Sequence, residues 1–336
     1  MTNIQPLFFI DVSKYDAVQA AQPIYDQPVN WKKARDEGGL RLAAIKISEG
    51  LRYDGTVNLD PAWKMQWTAA KGILPRCAYH FFRANQNPIK QFEVMWNELK
   101  NDFDQDSDFI ALDVETYDGF AQADYSKIVL NADSFLTQAD KVLNPGKRSF
   151  LYTFPSFWNN IGGNKVSAMK RHGLWLGQWP KDNWILTVPV PPKIFTPTRM
   201  EDLKNQVISG TVSPMLLQPW GFPDWWQFTA RCDTHAVPGH PATKVVVDYS
   251  ISYVDLPVLT GSGTTPPVIT NPPPIIFPKE YRHLYSGSWV FKTQNDGLGC
   301  KITYRLEART VTVLEIQDPW ARIDQGWMRL SRLSPM

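Results

Sequence analysis

Cysteine is scarce in this chain. Three among 336 residues, widely separated at Cys77, Cys232 and Cys300, make no disulfide framework. Charge of one sign is also lacking: 35 Lys and Arg against 33 Asp and Glu leave +2, with no basic footprint that would argue for nucleic acid. No apolar run approaches the roughly 18 residues a membrane helix needs, so membrane insertion is not expected. The start, "MTNIQPLFFIDVSKYD", shows no basic region followed by a long apolar core, and no secretory signal is visible. Neither a glycine-rich phosphate loop nor a serine elbow occurs. Cys232, His235 and His240 fall short of the four closely spaced ligands of a structural zinc site, and neither metal nor other cofactor is expected.

Aromatics are plentiful, with 14 Trp, 12 Tyr and 17 Phe beside 27 Pro. Core packing accounts for most of them; exposed ones also stack on sugar rings. Hydrophobic residues at 43% and charged residues at 20% describe an ordinary globular protein. The clearest boundary is "LPVLTGSGTTPPVITNPPPIIFP", where Gly, Ser, Thr and Pro favour an extended spacer. It divides the chain into a large part, 1–256, a linker, 257–278, and a small module, 279–336.

Within the large part, short apolar runs alternate with helical patterns. The strand candidates are "LFFIDVS", "LAAIKISEG", "RCAYHFFR", "FIALDVE", "RSFLYTF", "GLWLGQW", "DWWQFT" and "KVVVDYS". "LDPAWKMQWTAAKGI" reads as a helix with Asp60 as N-cap and Pro61 in its first turn. Residues 89–101 and 128–142 read as two more, the latter ended by Asn144 and Pro145. Eight strands, the early ones separated by helices, predict an α/β fold: a parallel barrel with a less helical second half.

In such barrels function gathers at the C-terminal ends of the strands. Those ends carry Asp11; Lys46, Ser48 and Glu49; Tyr79 and His80; Asp113 and Glu115; Tyr152; Trp175; Gln227; and Asp248. Side chains alternate faces along a strand, so Asp113 and Glu115 point one way and Val114 the other. Such a pair is either a solvated or salt-bridged strand end or a reaction centre. Glycoside cleavage needs a proton for the leaving oxygen and negative charge beside the developing oxocarbenium ion. Repulsion between carboxylates about 6 Å apart, on the order of 3 kcal/mol at an effective dielectric of about 20, would raise the proton affinity of one of them by up to about a hundredfold. His80, flanked by apolar residues, reads as a satisfied buried histidine. Glu49 is a substrate-binding candidate or a partner of Lys46, although residues three apart on a regular strand face opposite sides.

The ordered set "FIDVSKYD", "IKISEG…DPAWKMQWTAAKGILPRCAYHFFR", "ALDVET", "LYTF", "LWLGQW" and "WWQFT…VVVDYS" resembles glycoside hydrolase family 25, the Chalaropsis-type lysozymes. The resemblance runs from about residue 7 to 253. It implies a modified (β/α) barrel with fewer outer helices, and an N-acetylmuramidase acting on bacterial peptidoglycan as a monomer. It implies Glu115 as general acid, Asp113 positioning or stabilising the reacting sugar, and Asp11 and Asp248 completing the acidic cluster. Tyr79, Tyr152, Trp175 and Gln227 would line the cleft. The tail, "VTVLEIQDPWARIDQGWMRLSRL", resembles a bacterial Src-homology-3-like domain, implying a small all-β wall-binding module with Trp289, Trp320 and Trp327 as surface candidates. The expected place of action is the wall outside the cytoplasm, reached by phage-type release or unconventional export. Two segments depart from the family pattern. Residues 180–223 are much longer than usual and would form either a lid over the cleft or an ornament on the barrel rim; "RCDTHAVPGHPATK" is also unusual. A non-catalytic glycan-binding protein and a hydrolase of another amino-sugar polymer such as chitin are the alternative readings.

Overall fold

A computed structural model describes residues 7–14, 27–179, 195–241 and 246–257 in full, and backbone strands alone within 18–25 and 280–335. All eight strand candidates form: β1 (Leu7–Val12), β2 (Leu40–Leu51), β3 (Arg76–Phe81), β4 (Phe109–Asp113), β5 (Phe150–Thr153), β6 (Gly173–Gly177), β7 (Trp225–Asp233) and β8 (Val246–Ser252). They pair in sequence order, and β1 bonds to both β2 and β8, which closes the barrel. The barrel is not parallel throughout. β8 runs antiparallel to β7 and to β1. Twelve residues, 234–245, separate β7 from β8, and among the described ones the only helical turn is the short Thr234–Ala236, not the helix that usually carries a parallel crossover.

Alternation sorts the side chains into two layers. Phe8, Ile10, Ile45, Ile47, Leu112, Leu176 and Phe228 face outward into a continuous layer shared with the helices. Phe9, Ala44, Tyr79, Ala111, Tyr152, Trp175 and Trp225 face inward and fill the barrel, as expected of a barrel whose interior is packed core. Trp225 stacks on Phe150 with ring centroids 3.9 Å apart and planes within 8°, plugging the end away from the mouth. β6 provides room for this filling: a Cβ at Gly173 would lie 2.5 Å from the Phe150 ring.

Six helices flank the barrel among the described residues: α1 (Trp31–Asp36), α2 (Trp63–Ala70), α3 (Pro88–Leu99), α4 (Tyr125–Val142), α5 (Pro155–Asn160) and α6 (Pro197–Ile208). Asn87 caps α3 by accepting from Lys90 N at 3.0 Å. α2 starts later than its sequence suggested. Asp60 accepts from Ala62 N and from Lys14 N, so it ties the β1 loop to the turn before α2 and does not cap the helix. None of these helices is long and apolar enough to cross a membrane.

The described part of the long segment lies on the barrel flank. Phe195 bridges to Cys232, and Met200, Leu203 and Val207 of α6 enter the outer layer. Lys204 sits over the outward-facing rings of Phe8 and Tyr249. This is the ornament, not the lid, for residues 195–223; residues 180–194 lie outside the described residues. In the tail, short strands between Glu280 and Pro335 pair antiparallel with one another. Its Src-homology-3-like character and the side chains of Trp289, Trp320 and Trp327 lie outside the described residues.

Candidate active site

At the C-terminal ends of β1 to β7 the barrel opens into a cavity of about 170 Å³. Its walls are Asp11, Ser13, Lys46, Tyr79, Phe81, Asp113, Glu115, Tyr152, Trp175, Gln227 and Asp248. Four carboxylates from three strands therefore share one mouth. Asp248 joins them because β8 is reversed: its N-terminal end lies at the mouth, where Asp248 stands opposite Asp11 in the antiparallel register. Glu115 lies beyond the last residue of β4, yet the chain stays extended. Val114 N donates to Tyr152 O at 2.9 Å, and Thr153 Oγ1 donates to Val114 O at 2.8 Å. The alternation thus continues two residues further, and Glu115 points inward as Asp113 does.

A polar chain fixes the far wall. Tyr152 Oη donates to Gln227 Oε1 at 2.7 Å, and Gln227 Nε2 donates to Asp11 Oδ2 at 3.0 Å. Burial, reinforced by the neighbouring acids, pushes the Tyr152 phenol well above its usual range, so it remains a neutral donor. Trp175 Nε1 donates to Ser250 Oγ at 3.2 Å, which turns the indole edge into the barrel. Among the described residues Asp113 Oδ1 is buried without a hydrogen-bond partner, an exception among buried polar groups that calls for a physical reason.

Both central carboxyls hold protons more tightly than ordinary acids. For Asp113 burial is the first cause, followed by the charge of Glu115, and it rises well above the usual aspartate range. For Glu115 burial again leads, while Lys46 and Arg83 pull the other way; the net effect is upward. The expectation from sequence placed this effect in like-charge repulsion. Desolvation comes first, because the inward-pointing strand ends sit against the aromatic barrel filling. Together the pair retains a proton at pH values where free carboxylates would have lost theirs.

Of the residues expected at the site, the four acids and Tyr79, Tyr152, Trp175 and Gln227 all reach the cavity wall. Glu49 does not. It binds Lys46 Nζ at 2.8 Å and Arg83, outside the lining. A register shift between Lys46 and Ser48 on β2 brings together residues that a regular strand would send to opposite faces. His80 is buried, hydrogen-bonded to Ser48 and Gln91, and burial holds its pKa down at about 4. Two wall residues, Ser13 and Phe81, were not singled out, and Lys46, named among the strand ends and as a partner for Glu49, also lines the cavity. Phe81 follows Tyr79 by two, so period-two alternation was the signal that could have found it. Among the described residues no three potential ligands lie close enough to hold a metal ion.

Residues 10–187 match the family described as Glycosyl hydrolases family 25. Among solved structures, the bacterial lysozyme from Streptomyces coelicolor aligns with a TM-score of 0.50 and 18% identity, covering 75% of this chain and 94% of that one. A muramidase from Trichobolus zukalii aligns with a TM-score of 0.48 and 20% identity, over 74% and 95% of the two chains. A family GH25 lysozyme from Aspergillus fumigatus gives 0.49 and 18%, over 75% and 95%. The likeness to the Streptomyces protein speaks for the barrel fold alone. No curated protein matches the chain.

Proposed function

Because the chain belongs to glycosyl hydrolases family 25 and is thus a glycoside hydrolase, we propose that it cleaves the β-1,4 bond between N-acetylmuramic acid and N-acetylglucosamine in bacterial peptidoglycan. Glu115 is the general acid and Asp113 assists it. The observation that carries this reading is the half-buried carboxyl pair at the mouth, with both proton affinities raised and one Asp113 oxygen without a partner among the described residues. The lysozyme and muramidase names of the structural neighbours agree with the choice of polymer.

The unpartnered oxygen suggests an order of events. Without substrate, the deeper Asp113 holds the shared proton. A 2-acetamido group entering the cavity offers an N–H to Asp113 Oδ1, and a hydrogen bond to the charged form favours that form. The proton then resides on Glu115, beside the glycosidic oxygen. The ionised Asp113 orients the acetamido carbonyl toward the anomeric carbon. Asp11, held by Gln227, and Asp248 supply negative charge near the developing oxocarbenium ion. The tail from residue 279 acts as a wall-binding module joined by the Pro-rich linker.

Clearing of a suspension of purified walls by the wild type and by Glu115→Gln tests the assignment. The variant is expected to lose at least about a hundredfold in rate; equal clearing would remove Glu115 from the chemistry and favour a glycan-binding protein. Muramic acid is expected at the new reducing ends. N-acetylglucosamine there would reassign the cleaved bond, and cleavage of chitin in preference to walls would favour the other polymer.

A further inference from the structure

Beside the carboxyl pair runs a string of alternating charges carried on strand β2 and on the loops that follow β3 and β4. Lys46, on the cavity wall, donates to Glu49 Oε2 at 2.8 Å. Glu49 Oε1 accepts from Arg83 Nη2, and Arg83 Nη1 donates to Asp118 Oδ1 at 3.0 Å. The other oxygen of Asp118 accepts from Ala84 N at 2.5 Å. The Phe81 ring lies beneath both cations, 4.6 Å from Lys46 Nζ and 4.9 Å from the Arg83 guanidinium carbon.

The backbone is shaped around this string. Gly50 has φ +50°, and a Cβ there would lie 2.5 Å from Arg83 Cγ, so only glycine lets the arginine stem pass. Among the described residues Asp118 is the one non-glycine with positive φ, +47°, and its side chain is only 4% exposed. An αL aspartate is held there by its two hydrogen bonds at some conformational cost. The bulge on β2 turns Glu49 toward Lys46. Three local irregularities thus converge on one set of ion pairs.

We infer that Glu49 and Asp118 are positioning residues that keep Lys46 and Arg83 from closing onto Glu115, so that the acid remains free to carry a proton. This rests on the reading of Glu115 as general acid. Glu115 has two cations within electrostatic reach and no ion pair or side-chain hydrogen bond among the described residues. A lysine or arginine paired to it directly would hold it ionised through the neutral range. Both cations instead bind Glu49, Arg83 binds Asp118 as well, and the four charges sum to zero. The other titratable groups of the cavity, Asp113, Asp11, Asp248, Tyr79 and Tyr152, are acids and phenols, so the string holds the cations that face this site.

The test is a set of pH–rate profiles for the full chain, read as reducing ends released from solubilised peptidoglycan strands. Glu49→Gln removes the anion shared by both cations. The basic limb of kcat/KM is expected to move to lower pH by about one unit, with about tenfold less activity on that side. Removing the cation as well, in Glu49→Gln/Arg83→Met, is expected to bring the limb back toward the wild-type position. Asp118→Asn keeps an acceptor for Ala84 N and is expected to move the limb in the same direction as Glu49→Gln, which guards against a Glu49 variant that does not fold. A uniform loss of rate with the limb unmoved would make the string merely structural and overturn the inference. Glu115→Gln is run alongside: full activity in that variant rejects the general-acid reading itself, whereas an inactive Glu115→Gln with unmoved limbs rejects the string alone.

Discussion

Asp113 holds one oxygen buried without a partner among the described residues while facing a second carboxyl, and this arrangement weakens the fold as it prepares the site. Its proton affinity in the folded chain lies well above the unfolded value, for which 3.8 is ordinary. Below that pH both states carry the proton and the residue is neutral toward stability. As pH rises from there through the folded value, the unfolded chain ionises first while the folded chain still holds its proton against desolvation, and stability is lost until both states are ionised. Asp113→Asn removes the penalty while keeping shape. It is expected to unfold at a higher temperature than the wild type at pH 8, with the gap closing near pH 3; about 1 kcal/mol corresponds to about 2–4 °C in a domain of this size. Thermal unfolding at the two pH values checks this, and activity should fall at least about a hundredfold in the same variant. The pairing of Asp113 with Glu115 was legible from period-two spacing alone. The burial that governs both was not, because it depends on rings delivered by β5, β6 and β7.

At the scale of the element, β6 shows how a strand shapes a cavity by what it omits. Gly173 and Gly177 flank inward-pointing Trp175. A Cβ at Gly177 would lie 2.6 Å from Tyr152 Oη, and one at Gly173 would strike the Phe150 ring. The two glycines therefore respond differently to alanine. Gly173→Ala overpacks the plugged end and should destabilise by about 1–3 kcal/mol, read by denaturant unfolding, with the cavity unchanged. Gly177→Ala displaces the Tyr152 hydroxyl from Gln227, which in turn holds Asp11; kcat should drop about tenfold, equivalent to about 1.4 kcal/mol. Equal kcat in the wild type and Gly177→Ala would show that the polar chain is dispensable. Helix existence was legible in α3 and α4 from their apolar stripes. The start of α2 was not, because Asp60 has a second partner, Lys14 N, from a loop 46 residues away.

The whole molecule depends on closure by its last two strands. The family match ends at residue 187, yet β7 and β8 complete the barrel and bring Gln227 and Asp248 to the mouth. A chain ending at 256 is expected to fold and to cleave soluble wall fragments at the full-length rate while binding intact walls more weakly. Loss of both activities would make the tail structural. A chain ending at 241 lacks β8, leaves β1 and β7 with open edges, and should show no cooperative unfolding transition. The eight strands, the two faces of each, and the acids at their ends were determined by the sequence itself, since period-two alternation is a local property that burial on one face enforces. Tertiary structure alone decided the reversal of β8, which places Asp248 opposite Asp11, and the bulge that turns Glu49 from the cavity toward Lys46 and Arg83. Strand direction and register are settled by hydrogen bonds between segments far apart in the chain, and no local pattern of residues encodes them.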